Sequence, residues 1–161
     1  MRKINLLIST ALVILLMLST ATPAMAAQDK LVASSVVPGA NIIVNAAHVI
    51  GSSRQLDALL TVKEIFVNNP KIPSANIDKA ISLATDKLCG NIDNLNEQVL
   101  AALPKMTSEQ KKLTLAFYQG LLLNLEDFIE IAQRLKLEAG LVNRLKTSHD
   151  TAKSIIANIR A

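Results

Sequence analysis

Apolar positions along most of this chain recur at intervals of three and four, the spacing of one face of an α-helix. From Ala40 to Ile50 the stripe is Ile42, Ala46, Val49 and Ile50. A second stripe follows, Leu56, Leu60, Lys63 and Val67, flanked by Leu59 and Phe66. Laid on one continuous helix, the two are out of phase by roughly 100°. The slip falls at Gly51-Ser52-Ser53, where Ser52 and Gln55 have the spacing of a capping box, so the pattern predicts a break there. Pro70 and Pro73 then make a short stiff connection, and Ser74 is placed to cap a new helix.

That helix, from Ala75 to Leu103, has the cleanest pattern in the chain. Ile77, Ile81, Ala84, Leu88, Ile92, Leu95 and Val99 stay within about 40° of one line, and Pro104 ends the run. Thr107 with Gln110 reads as a capping box for the next helix. Its core side carries Phe117, Leu121, Leu125, Phe128, Ala132 and Leu135. Glu130 and Arg134 on its polar side have the i,i+4 spacing of an ion pair. Past Ala139 the stripe rotates by roughly 120° to Leu145, His149, Ala152, Ile156 and Ile159. Gly140 stands at the change, and a second break is expected near it. Leu121, Leu122, Leu123 and Leu125 cover almost the whole circumference of their helix. That implies burial all round, inside the fold or against a partner. The fold class that follows is all-α, an up-and-down bundle of about four to five helices joined by short connections.

The first residues break the amphipathic pattern. Met1-Arg2-Lys3 is positive, Ile4 to Leu18 is almost wholly apolar, and Ala24 and Ala26 give the small-x-small site that a signal peptidase requires. The apolar core is short for a bilayer span of about 20 residues. Residues 1–26 are therefore expected to be a cleaved signal peptide. Residues 27–161 form one helical-bundle domain in the periplasm or secreted from the cell, with 27–37 as a loose helix or an extended arm.

Charge narrows the partners. The chain has 17 basic and 13 acidic residues, and loss of Arg2 and Lys3 brings its net charge from +4 to about +2. Such a balance implies no polyanionic partner, and no basic cluster with interleaved aromatics marks a nucleic-acid surface. Nothing in the mature part is long and apolar enough to span a membrane.

The residues that make catalytic and metal sites are sparse. The chain has two histidines and one cysteine. Neither histidine has a metal-ligand partner at short spacing, and there is no C-x-x-C-H for haem. His48 projects to the polar side of its segment, and His149 lies on an apolar stripe, where a half-buried, hydrogen-bonded ring is expected. Glu126, Asp127 and Glu130 read as a solvated face beside Arg134. Serines and threonines fall at caps and loops, with no nucleophile elbow and no phosphate loop. Neither an enzymatic activity nor a cofactor is expected.

Cys89 cannot form an internal disulfide. It sits about 100° from the centre of its helix's apolar stripe, at the edge of the core. A quietly buried thiol, an intermolecular or redox use, and an exposed inert thiol are the readings open to it.

Two functional classes remain. One is protein–protein interaction outside the cytoplasm, as an adaptor, assembly factor, stress protein or inhibitor, with a protein partner or self-association. The other is carriage of a small hydrophobic ligand between helices. Both draw on apolar residues lying off the core stripes, at Leu83, Leu100, Leu115, Leu122 and Leu123. Cys89, Leu122 and Leu123 are the candidate interaction or redox residues.

Overall fold

The structure is a computed structural model, and it describes residues 40–67 and 75–161. The signal peptide at 1–26, its cleavage site, the arm at 27–37, the proline connection and the cap at Ser74 lie outside the described residues. The described chain is all-α. It comprises α1 (Ala40–Val67), α2 (Ala75–Ala102), a 3₁₀ turn (Leu103–Lys105), α3 (Ser108–Arg134) and α4 (Ala139–Arg160).

α1 is one helix, which corrects the expected break at Gly51–Ser53. The physical reason lies in the spacing of its buried positions. Ile42, Ala46, Val49, Ser53, Leu56, Leu60 and Lys63 are all buried and follow one another at intervals of four and three. That repeat of 3.5 makes a single seam, which drifts by only about 20° per heptad. Ser53 fills the position where an apolar residue was looked for. Ser52 is buried too, and it does not cap a helix start. Its hydroxyl donates back to the carbonyls of His48, at 2.8 Å, and Val49, at 3.1 Å. A serine satisfied on its own preceding turn can remain inside a helix.

α3 and α4 use the same repeat. On α3 the seam is Thr114, Tyr118, Leu121, Leu125, Phe128 and Ala132, widened on one flank by Phe117, Asn124 and Ile131. On α4 it is Leu141, Leu145, Ser148, Ala152, Ile155 and Ile159. The α4 stripe therefore runs through Ser148 and Ile155, while His149 is half-buried beside it.

The helix terminus expected at Thr107 is present in full. Gln110 donates its backbone N–H to the Thr107 hydroxyl at 3.2 Å, and Thr107 N–H donates to the Gln110 side chain at 2.9 Å. A break between α3 and α4 is also present, displaced from Gly140 to residues 135–138; Gly140 itself is helical. Leu137 N–H donates to the Ala132 carbonyl at 2.9 Å and Lys136 N–H to the Gln133 carbonyl at 3.0 Å. With Lys136 at φ 55°, this is the Schellman ending of a helix, made without its usual glycine.

α1 packs on α2 and α3 on α4 as two antiparallel hairpins, and the hairpins meet mainly through α2 and α4. Going round the bundle the order is α1, α2, α4, α3. Arg144 of α4 pairs with Asp86 and donates to Ser82 at 3.3 Å, fixing the parallel register of α4 on α2. Arg134 pairs with Glu64 of α1, so its ion pair spans two helices and is not the expected local one with Glu130. Across the middle, the Tyr118 hydroxyl donates to Asn96 Oδ1 at 2.7 Å. The core is one contiguous cluster contributed by all four helices.

Candidate functional site

The four helices turn a set of polar groups toward one another between hairpins and leave a set of apolar ones facing out. Among the polar groups, His149 bridges α3 and α4. Its Nε2 lies 3.2 Å from Glu126 Oε1 and its Nδ1 3.1 Å from Asp150 Oδ1. Glu126 thus meets a histidine on the next helix, while His48 is exposed on α1. Among the described residues no group of three or more His, Cys, Asp or Glu is placed to hold a metal ion. No helix there is long and apolar enough to cross a membrane.

Cys89 sits between α2 and α4. It is half-buried and packs against the core cluster, with the Ser148 hydroxyl in hydrogen-bonding reach. Burial pushes its thiol above the ordinary value, and the carboxylate of Asp93 one turn on pushes the same way. Such a thiol is a poor nucleophile at neutral pH, because the reacting species is the thiolate. α4 is the helix that covers the edge of the core where the helical projection puts this residue.

The leucine run divides. Leu121 and Leu125 are buried in the core, and Leu122 is half-buried and packs against it. Leu123 faces straight outward and is 47% exposed. Burial inside the fold therefore stops short of the full circumference. Of the other off-stripe leucines, Leu83 and Leu100 are exposed on α2, and Leu115 packs partly against the core.

Four of the seven large apolar side chains exposed among the described residues are on α1. Val44, Val62 and Ile65 are exposed there, Ile65 to 60%. They stand beside exposed Ala47 and Ala58. The signal was available as soon as α1 is read as one helix: apolar residues recur on two opposite sides of it, and a helix apolar all round needs cover on both. Splitting the segment at Gly51 hid that. Lys63 is the one charged residue on the inner seam. It reaches Asp78 at the start of α2. Gly51 of α1 and Gly90 of α2 are both exposed, and a Cβ on either would meet nothing within 4 Å among the described residues.

No protein-family pattern, curated protein or solved structure matches this chain.

Proposed function

We propose that this is an exported, non-enzymatic helical protein that works by binding another protein, in the periplasm or outside the cell, as an adaptor, assembly factor, stress protein or inhibitor. The observation that carries the reading is the outward apolar surface of α1. A helix that already contributes a full seam to its own core also exposes Val44, Val62 and Ile65. Apolar side chains grouped on an outer face mark interaction sites more often than scattered ones do. Export rests on the order of charge, apolar core and Ala-x-Ala site in the first 26 residues. Carriage of a hydrophobic ligand, the second reading, would draw on the inside of the bundle; the apolar surface in excess is on the outside.

The test is site-specific photo-crosslinking in living cells. A photoreactive side chain at Ile65 should give protein adducts in the extracytoplasmic fraction, and one at exposed Lys153 of α4 should give few or none. Equal adduct yields at both positions, or none at Ile65, would count against the reading. Processed protein beginning at Ala27 supports the export half, and retention of Met1 to Leu18 would overturn it.

A further inference from the structure

The outer face of α1 has a pattern as regular as the inner one. Two residues beyond each inner-seam position, about 200° round the helix, stand Val44, His48, Gly51, Gln55, Ala58, Val62 and Ile65. All seven are exposed and none is Asp, Glu, Lys or Arg. Their spacing is again four and three, the repeat of a helix that pairs with another helix. The nearest charges on α1, Arg54 and Asp57, lie to the flank and are already engaged.

Gly51 is an independent sign. Glycine inside a helix is unfavourable relative to alanine, because it frees the unfolded chain. Among the described residues a Cβ at Gly51 would meet nothing within 4 Å, so their packing does not call for glycine there. The close approach of a second backbone would call for it.

The seam also matches itself when reversed. Turned end for end about Gln55, His48 falls opposite Val62 and Gln55 opposite its own copy, while Val44 comes within one residue of Ile65 and Gly51 within one of Ala58. Small residues meet small ones, large apolar ones meet at the ends, and the two central amides can hydrogen-bond each other. An isologous contact across a two-fold axis requires this reciprocity.

We propose that α1 pairs antiparallel with α1 of a second copy of this chain, about a two-fold axis at Gln55. This rests on the interaction reading above and names the partner. The seam from Val44 to Ile65 is about 32 Å long. One such helix pair buries less than the roughly 1,200 Å² of a standard stable interface. An interface of that size fits a reversible dimer.

Single cysteines in a Cys89→Ser background test the register. Gln55→Cys should form a covalent dimer under mild oxidation. Val44→Cys alone should form little, and Val44→Cys with Ile65→Cys in one chain should restore cross-linking. Comparable dimer from Val44→Cys alone and from Gln55→Cys would mean a parallel pairing and would overturn the proposal. Sedimentation tests the surface. Gly51→Ala should raise the thermal midpoint and raise the dissociation constant at least fivefold. Ala58→Arg should leave the midpoint unchanged and raise that constant at least tenfold. A chain that stays monomeric at about 200 µM, with no Gln55→Cys dimer, would overturn it. Adducts from Ile65 separate the two claims. A mass of two chains supports the dimer. A different protein as the adduct overturns the second copy and leaves the interaction reading standing. No adduct overturns both.

Discussion

Lys63 of α1 and Asp78 of α2 are joined at the end of the bundle where the first hairpin turns, with Lys63 Nζ 2.7 Å from Asp78 Oδ1 and 2.9 Å from Oδ2. The two ends are unequal in exposure. Lys63 is buried, 7% exposed, while the Asp78 side chain keeps 43% of its surface. Asp78 also stands in the first turn of α2, where the helix dipole favours a negative charge.

That inequality predicts asymmetric mutational costs. Asp78→Ala leaves an ammonium buried without its carboxylate and should cost about 2 kcal/mol, the half-exposure of Asp78 holding it below the 3–5 kcal/mol of fully buried pairs. Lys63→Met removes the charge and keeps the volume, and should fall within about 1 kcal/mol of the parent. Urea unfolding of the two variants checks this, and equal losses would contradict it.

Tyr118 is the only tyrosine, so its titration can be read without overlap. Burial holds its phenol well above the ordinary value of 10.0. A group whose proton is held more tightly in the folded state contributes stability that is complete below the unfolded pKa. That contribution is lost as pH rises through the folded one. Stability should therefore begin to fall above about pH 10, and tyrosinate absorbance should appear only together with unfolding. Tyr118→Phe should cost about 1–3 kcal/mol, because it strands the buried amide of Asn96. It should also abolish that part of the alkaline slope. Reversible tyrosinate formation in the folded protein near pH 10 would contradict the assignment.

Lys136 occupies the left-handed region, at φ 55°, in the position that helix endings reserve for glycine. Lys136→Gly should stabilise the protein by about 0.5–1 kcal/mol, since the relief of backbone strain exceeds the added freedom of the unfolded chain. A thermal or denaturant midpoint that falls would show that the lysine side chain contributes more than its backbone costs.

Cys89 should label slowly in the folded protein. Covered by α4 and raised by burial above its ordinary value of 9.0, the thiol is both concealed and protonated at neutral pH. A small disulfide reagent at pH 8 should react at least about tenfold faster once the chain is unfolded. Equal rates would mean that α4 does not cover it.

What could be read from the sequence was what adjacent turns decide. The box at Thr107 and Gln110 is local chemistry, and it stands as written. The stripe from Ile77 to Val99 is apolar throughout, and its members line the core or pack against it. The break expected at Gly51–Ser53 is absent because a polar residue, Ser53, holds a buried seam position. The second break was placed four residues late because glycine advertises a left-handed residue and Lys136 does not. Arg134 was given a partner four residues away, and its ion pair is with Glu64, 70 residues distant in sequence. The outward face of α1 was missed for the same reason as its continuity: cut in two, the helix shows two inner stripes, and joined it shows an inner and an outer one.

The account depends most on α1 being one helix with two opposite seams, of which the outer one is used. Cysteine accessibility along residues 42–65, one substitution at a time in a Cys89→Ser background, reads this most directly. In dilute purified protein, labelling should be slow at 42, 46, 49, 53, 56, 60 and 63. It should be fast at 44, 48, 51, 55, 58, 62 and 65, with no slip in phase at Gly51–Ser53. In the protein's own compartment the second set should become protected while the first stays unchanged. A phase slip at Gly51–Ser53, or outer positions that label as fast in the compartment as in dilute solution, would contradict the account.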